Sequence, residues 1–294
     1  MKYYAALFLF IAGFLPSKSS FAQTDCGDPV SYQGYDYATV LIGDQCWFAE
    51  NLQSVNYSNG DLIPSSLENA EWFSTSEGAS AVYGENGDAD WNCLDNVLRR
   101  RRSRLVKHFG RLYNWHAVVD PRGLCPQGWK VPSDMDWMVL EVTLGLGHEE
   151  GLFRDGLRGQ YHGDALKYAE LWCENAYKSS DASFAADAKI QDLRKGESAD
   201  EFLRRIGTVS TRDSLSLPTN LFGFSALPSG YRDETGGFYA AGTSASWWTS
   251  TPFDEVGDYA WYRSLYSDHG RIDRFSFLPH NTGKAIRCVC ELGN

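Results

Sequence analysis

Apolar and polar positions in this chain alternate in short runs, and one stretch alone carries clear helical spacing. Val40 to Ile42 and Cys46 to Phe48 are β-favouring runs around Gly43-Asp44, which predicts a hairpin. Asn59-Gly60 within "YSNGDLIP" (57–64) predicts a turn closed by Pro64. Trp137, Leu140, Glu141 and Leu144 recur at helical spacing after Ser133, a good N-cap, with Asp134 and Asp136 in the first turn. Asp136 is placed to close a shortened capping box, so a main helix is expected near 133–145, ending at Gly145 or Gly147 and burying its three apolar residues. Residues 164–205 are rich in Ala, Glu and Lys without an apolar stripe, which predicts a helical insertion lying over the core. Farther on, "FGFSALPSGYR", "GGFYAAGTSASWWTST", "DYAWYRSLYS" and "KAIRCVCE" are aromatic or β-branched runs broken by Gly, Ser and Asp, the pattern of a meandering antiparallel sheet. A central helix followed by late strands predicts an α+β fold in a single domain.

The first residues change the picture by placing the protein outside the cytoplasm. Met1-Lys2 is a basic start, Tyr3 to Leu15 an apolar run, and Ser20-Phe21-Ala22 a small-residue cleavage pattern, so residues 1–22 are expected to be a signal peptide and the domain to span 23–294. Thirteen apolar residues are too few to cross about 30 Å of hydrocarbon. No aliphatic residue stands three positions before Cys26, so a lipid anchor is not expected. Without Lys2 and Lys18, 25 basic residues face 38 acidic ones, a net charge of −13. Such a balance argues against nucleic acid or an anionic membrane as the main partner. Four residues follow Cys290, too few for a sorting domain, and a free secreted or periplasmic protein is expected.

Seven cysteines in an exported chain are read as a disulfide framework with at least one thiol left over. Spacing does not decide the pairing. Signatures of catalysis and metal binding are missing: no His-Glu-x-x-His, Cys-x-x-Cys, phosphate-binding loop or Gly-x-Ser-x-Gly occurs. His116 in "YNWHAV" reads as a packed or surface histidine, and Asp88 and Asp90 in "GENGDADW" as a solvated turn lacking the later ligands of a calcium loop. The basic run Arg99 to Arg104 reads as a solvated segment. Trp115, Trp129 and Trp137 read as core. Trp247 and Trp248, being adjacent in a predicted strand, must face opposite ways, so one packs inside and the other is a candidate for holding a sugar ring or a partner side chain.

Taken in order, "TVLIGDQCWFAENL", "GRLYNWHAVVDPRGLCPQGWKVPSDMDW", "GFSALPSGYRDETGGFY", "WWTST", "AWYRSL" and "IRCV" make the chain resemble the Fibrobacter succinogenes major paralogous domain family. The resemblance covers about residues 30 to 291, interrupted near 84–109 and 164–213. It implies an exported protein of C-type-lectin-like fold and brings no established molecular activity with it. Two positions depart from the family pattern: Lys284 stands where an aromatic residue is usual, and Arg99–Arg102 replace a shorter acidic loop. The resemblance also implies that Cys125, beside the helix, is tied to Cys288 in the terminal strand. Cys26 and Cys46, flanking the hairpin, are the next expected pair, and one of Cys93, Cys173 and Cys290 is left over. The triplets of calcium-dependent lectins are missing, and no cofactor is expected. "KVPSDMDW" (130–137) also resembles a segment of the formylglycine-generating enzymes, and Cys288-x-Cys290 resembles their redox pair, though the Trp-rich signature before those cysteines is lacking. The expected function is therefore non-catalytic extracellular binding or surface organisation, with a glycan or cell-surface protein as partner and Trp247, Trp248, Tyr231, Arg232 and Trp261 as candidate ligand contacts. An oxidoreductase is the alternative.

Overall fold

The computed structural model describes residues 25–87, 89–91, 94, 107, 109–147, 155–168, 171–173, 219–253 and 259–291. The expected signal peptide, the arginine run at 99–104 and most of the 164–213 segment lie outside them. The N-terminal part holds β1 (Val30–Tyr32), β2 (Tyr35–Tyr37), β3 (Thr39–Ile42) and β4 (Gln45–Phe48), then α1 (Asn69–Ser74), β5 (Ser80–Ala81), β6 (Leu112–Tyr113) and α2 (Trp115–Val118). The C-terminal part holds α3 (Asp134–Thr143), β7 (Gly156–Arg158), β8 (Ser229–Arg232), β9 (Phe238–Ala241), β10 (Ser244–Pro252), β11 (Ala260–Tyr266), β12 (His269–Phe275) and β13 (Val289–Glu291). Strands and few helices make an α+β chain of small sheets.

The largest sheet runs β7-β12-β11-β10-β8-β9. Its pairings are antiparallel except between β10 and β8, where Ala245 meets Gly230 in parallel. The predicted hairpin is β3 and β4, turning at Gly43 with φ 61°, and β13 joins it through Cys290 opposite Cys46. Asn59-Gly60 forms the expected turn, Gly60 at φ 95° and Tyr57 N–H donating to Asp61 O at 2.8 Å.

The main helix forms where its spacing and cap predict. Ser133 Oγ accepts from Asp136 N–H at 3.1 Å while Asp136 Oδ2 accepts from Ser133 N–H at 2.7 Å, so two orphan donors are satisfied reciprocally. Trp137, Leu140 and Leu144 then pack with Trp247, Leu265 and Ile272 against one face of the large sheet. Glu141, on the same face, is fully buried and accepts from Arg263 of β11 at 2.6 Å and from Arg158 of β7. Asp134 accepts from Arg263 and from Arg274 of β12, each at 2.7 Å. Burial works to raise the Asp134 carboxyl, but the two arginines outweigh it and hold it below the usual carboxylate range. Its charge thus ties the helix start to two strands as well as serving the helix dipole. The opposite face of the sheet carries Trp248 and Tyr262, which pack with Phe48, Tyr113, Trp115 and Ile286.

The described part of the expected helical insertion is not helical. Residues 164–168 and 171–173 are turns, bends and a single bridge, Lys167 to Ala226, with no helix. Asp164 and Lys167 bond each other at 2.9 Å, and the Lys167 ammonium also donates to Tyr266 O and His269 O, so tertiary partners replace the intrahelical ladder that composition predicted.

Both expected cysteine pairs are present, Cys125–Cys288, which the resemblance implied, and Cys26–Cys46, which flanks the hairpin. Cys173 is in a disulfide as well, and Cys290 is the free thiol among the described cysteines.

Candidate binding site around Lys284

Three neighbouring strands build the site by alternation. On β10, Ser244, Ser246 and Trp248 face one way; on β11, Tyr262, Ser264 and Tyr266 do so. The register pairs Ser244 with Tyr266, Ser246 with Ser264 and Trp248 with Tyr262, and Asp273 of β12 lies opposite Ser264. Residues 283–285 run beside β10 as an extended segment, with Ala285 bridged in parallel to Trp247. Lys284 exchanges both backbone hydrogen bonds with Tyr113 of β6, at 3.0 and 2.8 Å, and Ala285 N–H donates to Ser246 O at 3.0 Å. The Lys284 side chain is thereby fixed over the aromatic and hydroxyl grid.

A cavity of about 530 Å³ opens there, lined by Tyr231, Ser244, Ser246, Tyr262, Ser264 and Tyr266 together with Lys284 and, near the β11–β12 turn, Asp268. Its volume falls within the range of ligand pockets, roughly 300–1,000 Å³. Lys284 is 2% exposed, and its Nζ stands 4.0 Å from the Tyr262 ring centre, 5.4 Å from that of Trp248 and 5.5 Å from that of Tyr231. Aromatic faces attract the ammonium but offer no acceptors for its three N–H donors. Burial therefore lowers its pKa to about 7, against a smaller raising effect of Asp273. Asp273 shifts the opposite way, pushed up to about 6 by burial despite a Tyr266 hydrogen bond and the nearby cations Lys284, Arg158 and Arg263. Two groups whose proton affinities are driven together by burial sit on one face of one sheet.

The five candidate ligand contacts fare differently. Trp247 and Trp248 face opposite ways as predicted, but both are fully buried, so neither offers a free aromatic face. The reason lies outside the strand: α3 packs on the Trp247 side of β10 and Tyr113 and Trp115 on the Trp248 side, and the indoles donate to Asn51 Oδ1 at 2.9 Å and to Thr282 O at 3.0 Å. Arg232 is also fully buried, stacked 4.3 Å over Trp72 and donating to Leu67 O at 2.8 Å, so it serves packing. Trp261 stays half-buried at the surface under the Arg274 guanidinium, 3.4 Å from its ring centre. Tyr231 alone among the five lines the cavity. The hydroxyl residues of β10 and β11 and Asp273 were missed, although "SASWW" and "YRSLY" carry the signal, polar residues two apart in two adjacent strand runs.

Elsewhere the thiol chemistry is quiet. Cys288 is tied to Cys125, and burial pushes the Cys290 thiol up. His116 bonds Asn281 at 3.1 Å, and burial lowers its pKa. Among the described residues no group of three His, Cys, Asp or Glu side chains is placed to hold a metal ion.

A family model, the Fibrobacter succinogenes major domain, matches residues 40–290, most of the chain. The chain belongs to that family. No curated protein and no solved structure matches it. The Fibrobacter succinogenes major domain stretch contains the whole Lys284 cavity and the Cys125–Cys288 bond, whereas Cys26 precedes it.

Proposed function

We propose that this protein is an exported, non-catalytic binding protein of C-type-lectin-like architecture whose ligand, a small hydroxyl-bearing molecule such as a sugar, seats in the Lys284 cavity. The observation that carries this reading is the matched grid of serine and tyrosine hydroxyls on β10 and β11 facing a buried lysine across 530 Å³. Tyr231 and Tyr262 make no hydroxyl hydrogen bond to the described protein, so both are available to a polyol. Export is supported by disulfides, which persist in oxidising compartments. Among the described residues no helix is long and apolar enough to cross a membrane. The lectin-like architecture draws support from a bond that ties the start of the main helix to the closing strand. The non-catalytic reading draws support from Cys288, which is bonded to Cys125 and so does not form a thiol pair with Cys290.

The test is a screen of glycans and small polyols against the exported protein, read by tryptophan fluorescence, with Thr243→Trp filling the cavity, since Thr243 is a half-buried residue of its lining. A ligand that binds the wild type and loses at least tenfold in affinity to Thr243→Trp supports the assignment. Equal binding by both proteins places the ligand elsewhere.

A further inference from the structure

Two of the described lysines are buried, and the fold treats them in opposite ways. Lys167 is fully buried, and its Nζ donates to Asp164 Oδ1 at 2.9 Å, Tyr266 O at 2.6 Å and His269 O at 2.7 Å, a full set of acceptors for an ammonium. Lys284 is equally withdrawn from solvent, yet among the described residues its Nζ has no hydrogen-bond acceptor and no carboxylate within the 4.0 Å of an ion pair. Lys167 therefore reads as a structural cation. Lys284 lines a cavity large enough for a small ligand, where among the described residues aromatic rings and the more distant Asp273 are what favour its charge.

We propose that Lys284 captures the carbonyl carbon of a small hydroxylated aldehyde or ketone, an open-chain sugar among them, as a reversible imine inside the cavity. This rests on the cavity being the ligand site. The Nζ lone pair adds to the carbonyl carbon and the C=O electron pair moves onto oxygen. That oxygen takes both protons lost by nitrogen and leaves as water, so amine plus carbonyl becomes imine plus water with no change of oxidation state. Hydrolysis reverses the step. The hydroxyls of Tyr231 and Tyr262 and the serines of β10 and β11 meet the ligand's remaining hydroxyl groups.

The surroundings favour the amine form that the addition needs. Facing Lys284 are the ring of Trp248 from β10, Tyr262 and Tyr266 from β11, Tyr231 from β8, Tyr113 from β6, Asp273 from β12 and Asp268 from the β11–β12 turn. Of these, Asp273 works to keep the proton on Lys284, and burial outweighs it. A proton affinity near 7 leaves about half the side chain as free amine at neutral pH, against roughly one part in three thousand for an ordinary lysine.

The experiment incubates the full chain with glyceraldehyde and sodium cyanoborohydride at pH 7 and maps the reduced adduct on peptides. Lys284 should be labelled at least tenfold faster than any other lysine, Lys167 included, and its labelling rate should level off above about pH 8 while those of surface lysines keep rising. Because the comparison is made within the wild-type chain, it does not depend on a Lys284 variant folding. Labelling spread over surface lysines, or a Lys284 rate that keeps climbing like theirs, overturns the imine. A second arm separates the two readings: erythritol, which has hydroxyls and no carbonyl, is titrated against wild type and Thr243→Trp. If erythritol binds the wild type in a way that Thr243→Trp abolishes while Lys284 is not labelled, the cavity remains the ligand site and the imine falls. If Lys284 labelling is selective and Thr243→Trp slows it tenfold or more, both stand.

Discussion

At the scale of single residues, Lys284 and Asp273 make the stability of the fold depend on pH in opposite senses. Lys284 falls from an ordinary 10.5 to about 7, so between those values the unfolded chain holds a proton that the folded chain has released. Stability therefore rises as pH climbs from about 7 to 10.5. Asp273 rises from 3.8 to about 6, so the folded chain keeps a proton there that the unfolded chain has lost, and stability falls as pH climbs through that window. Lys284→Met removes the first effect. It should be more stable than the wild type at pH 6.5, by about 1–4 kcal/mol, the range seen when buried charges give way to apolar residues. That advantage should shrink steadily towards pH 10 in urea titrations across the range. An advantage that does not change with pH would mean that Lys284 titrates as an ordinary surface lysine. The residue scale is also where the sequence was least legible. The opposite facing of Trp247 and Trp248 follows from strand geometry, but whether the outer one is exposed depends on what covers the sheet. Here both faces are covered by segments more than a hundred residues away in the chain, α3 on one side and Tyr113 and Trp115 on the other.

At the scale of elements, α3 was readable almost to the residue because its signals are local: a cap, a capping box and an apolar stripe. Ser133→Ala removes the cap and should cost about 1 kcal/mol, seen as a lower urea midpoint with an unchanged slope. Glu141 shows where local reading stops. Its spacing puts it on the buried face, and its partners Arg158 and Arg263 come from strands whose pairing no helical pattern reports. Burial lowers the pKa of Arg158 to about 10, which marks how much that guanidinium depends on the carboxylate. Glu141→Ala should therefore destabilise by about 3–5 kcal/mol, because two buried guanidiniums lose their shared counter-charge. A loss below about 1 kcal/mol would show that the arginines find other acceptors. The same limit explains 164–168 and 171–173. Ala, Glu and Lys favour a helix in isolation, but the contacts of Asp164, Lys167 and Trp172 with distant strands set the backbone instead.

At the scale of the whole molecule, the Cys125–Cys288 bond and the Lys284 cavity share one closing segment. Residues 283–289 pair in turn with Arg232, Tyr113, Trp247 and Lys130, so this stretch stitches β8, β6, β10 and the approach to α3 together. Phe48 N–H donates to Cys288 O at 2.9 Å and Leu52 N–H to Ile286 O at 2.8 Å, which adds the hairpin to the same seam. The disulfide closes a span of 163 residues, worth about 5 kcal/mol in the chain-entropy model, against about 3 kcal/mol for the 20-residue span of Cys26–Cys46. Replacing both partners by serine avoids leaving a reactive thiol and isolates the cross-link. Cys125→Ser with Cys288→Ser should thus lower unfolding free energy by several kcal/mol and by more than Cys26→Ser with Cys46→Ser does. Because the seam keeps its backbone hydrogen bonds, the first double variant should still fold at low temperature. Its loss should show as a shift of the denaturant midpoint. Mass mapping of unreduced wild-type peptides fixes the premise: Cys125 linked to Cys288, with Cys290 alkylated. If the two double variants unfold at the same midpoint, the long cross-link is not what closes the fold, and the hydrogen-bonded seam holds Lys284 over the sheet unaided.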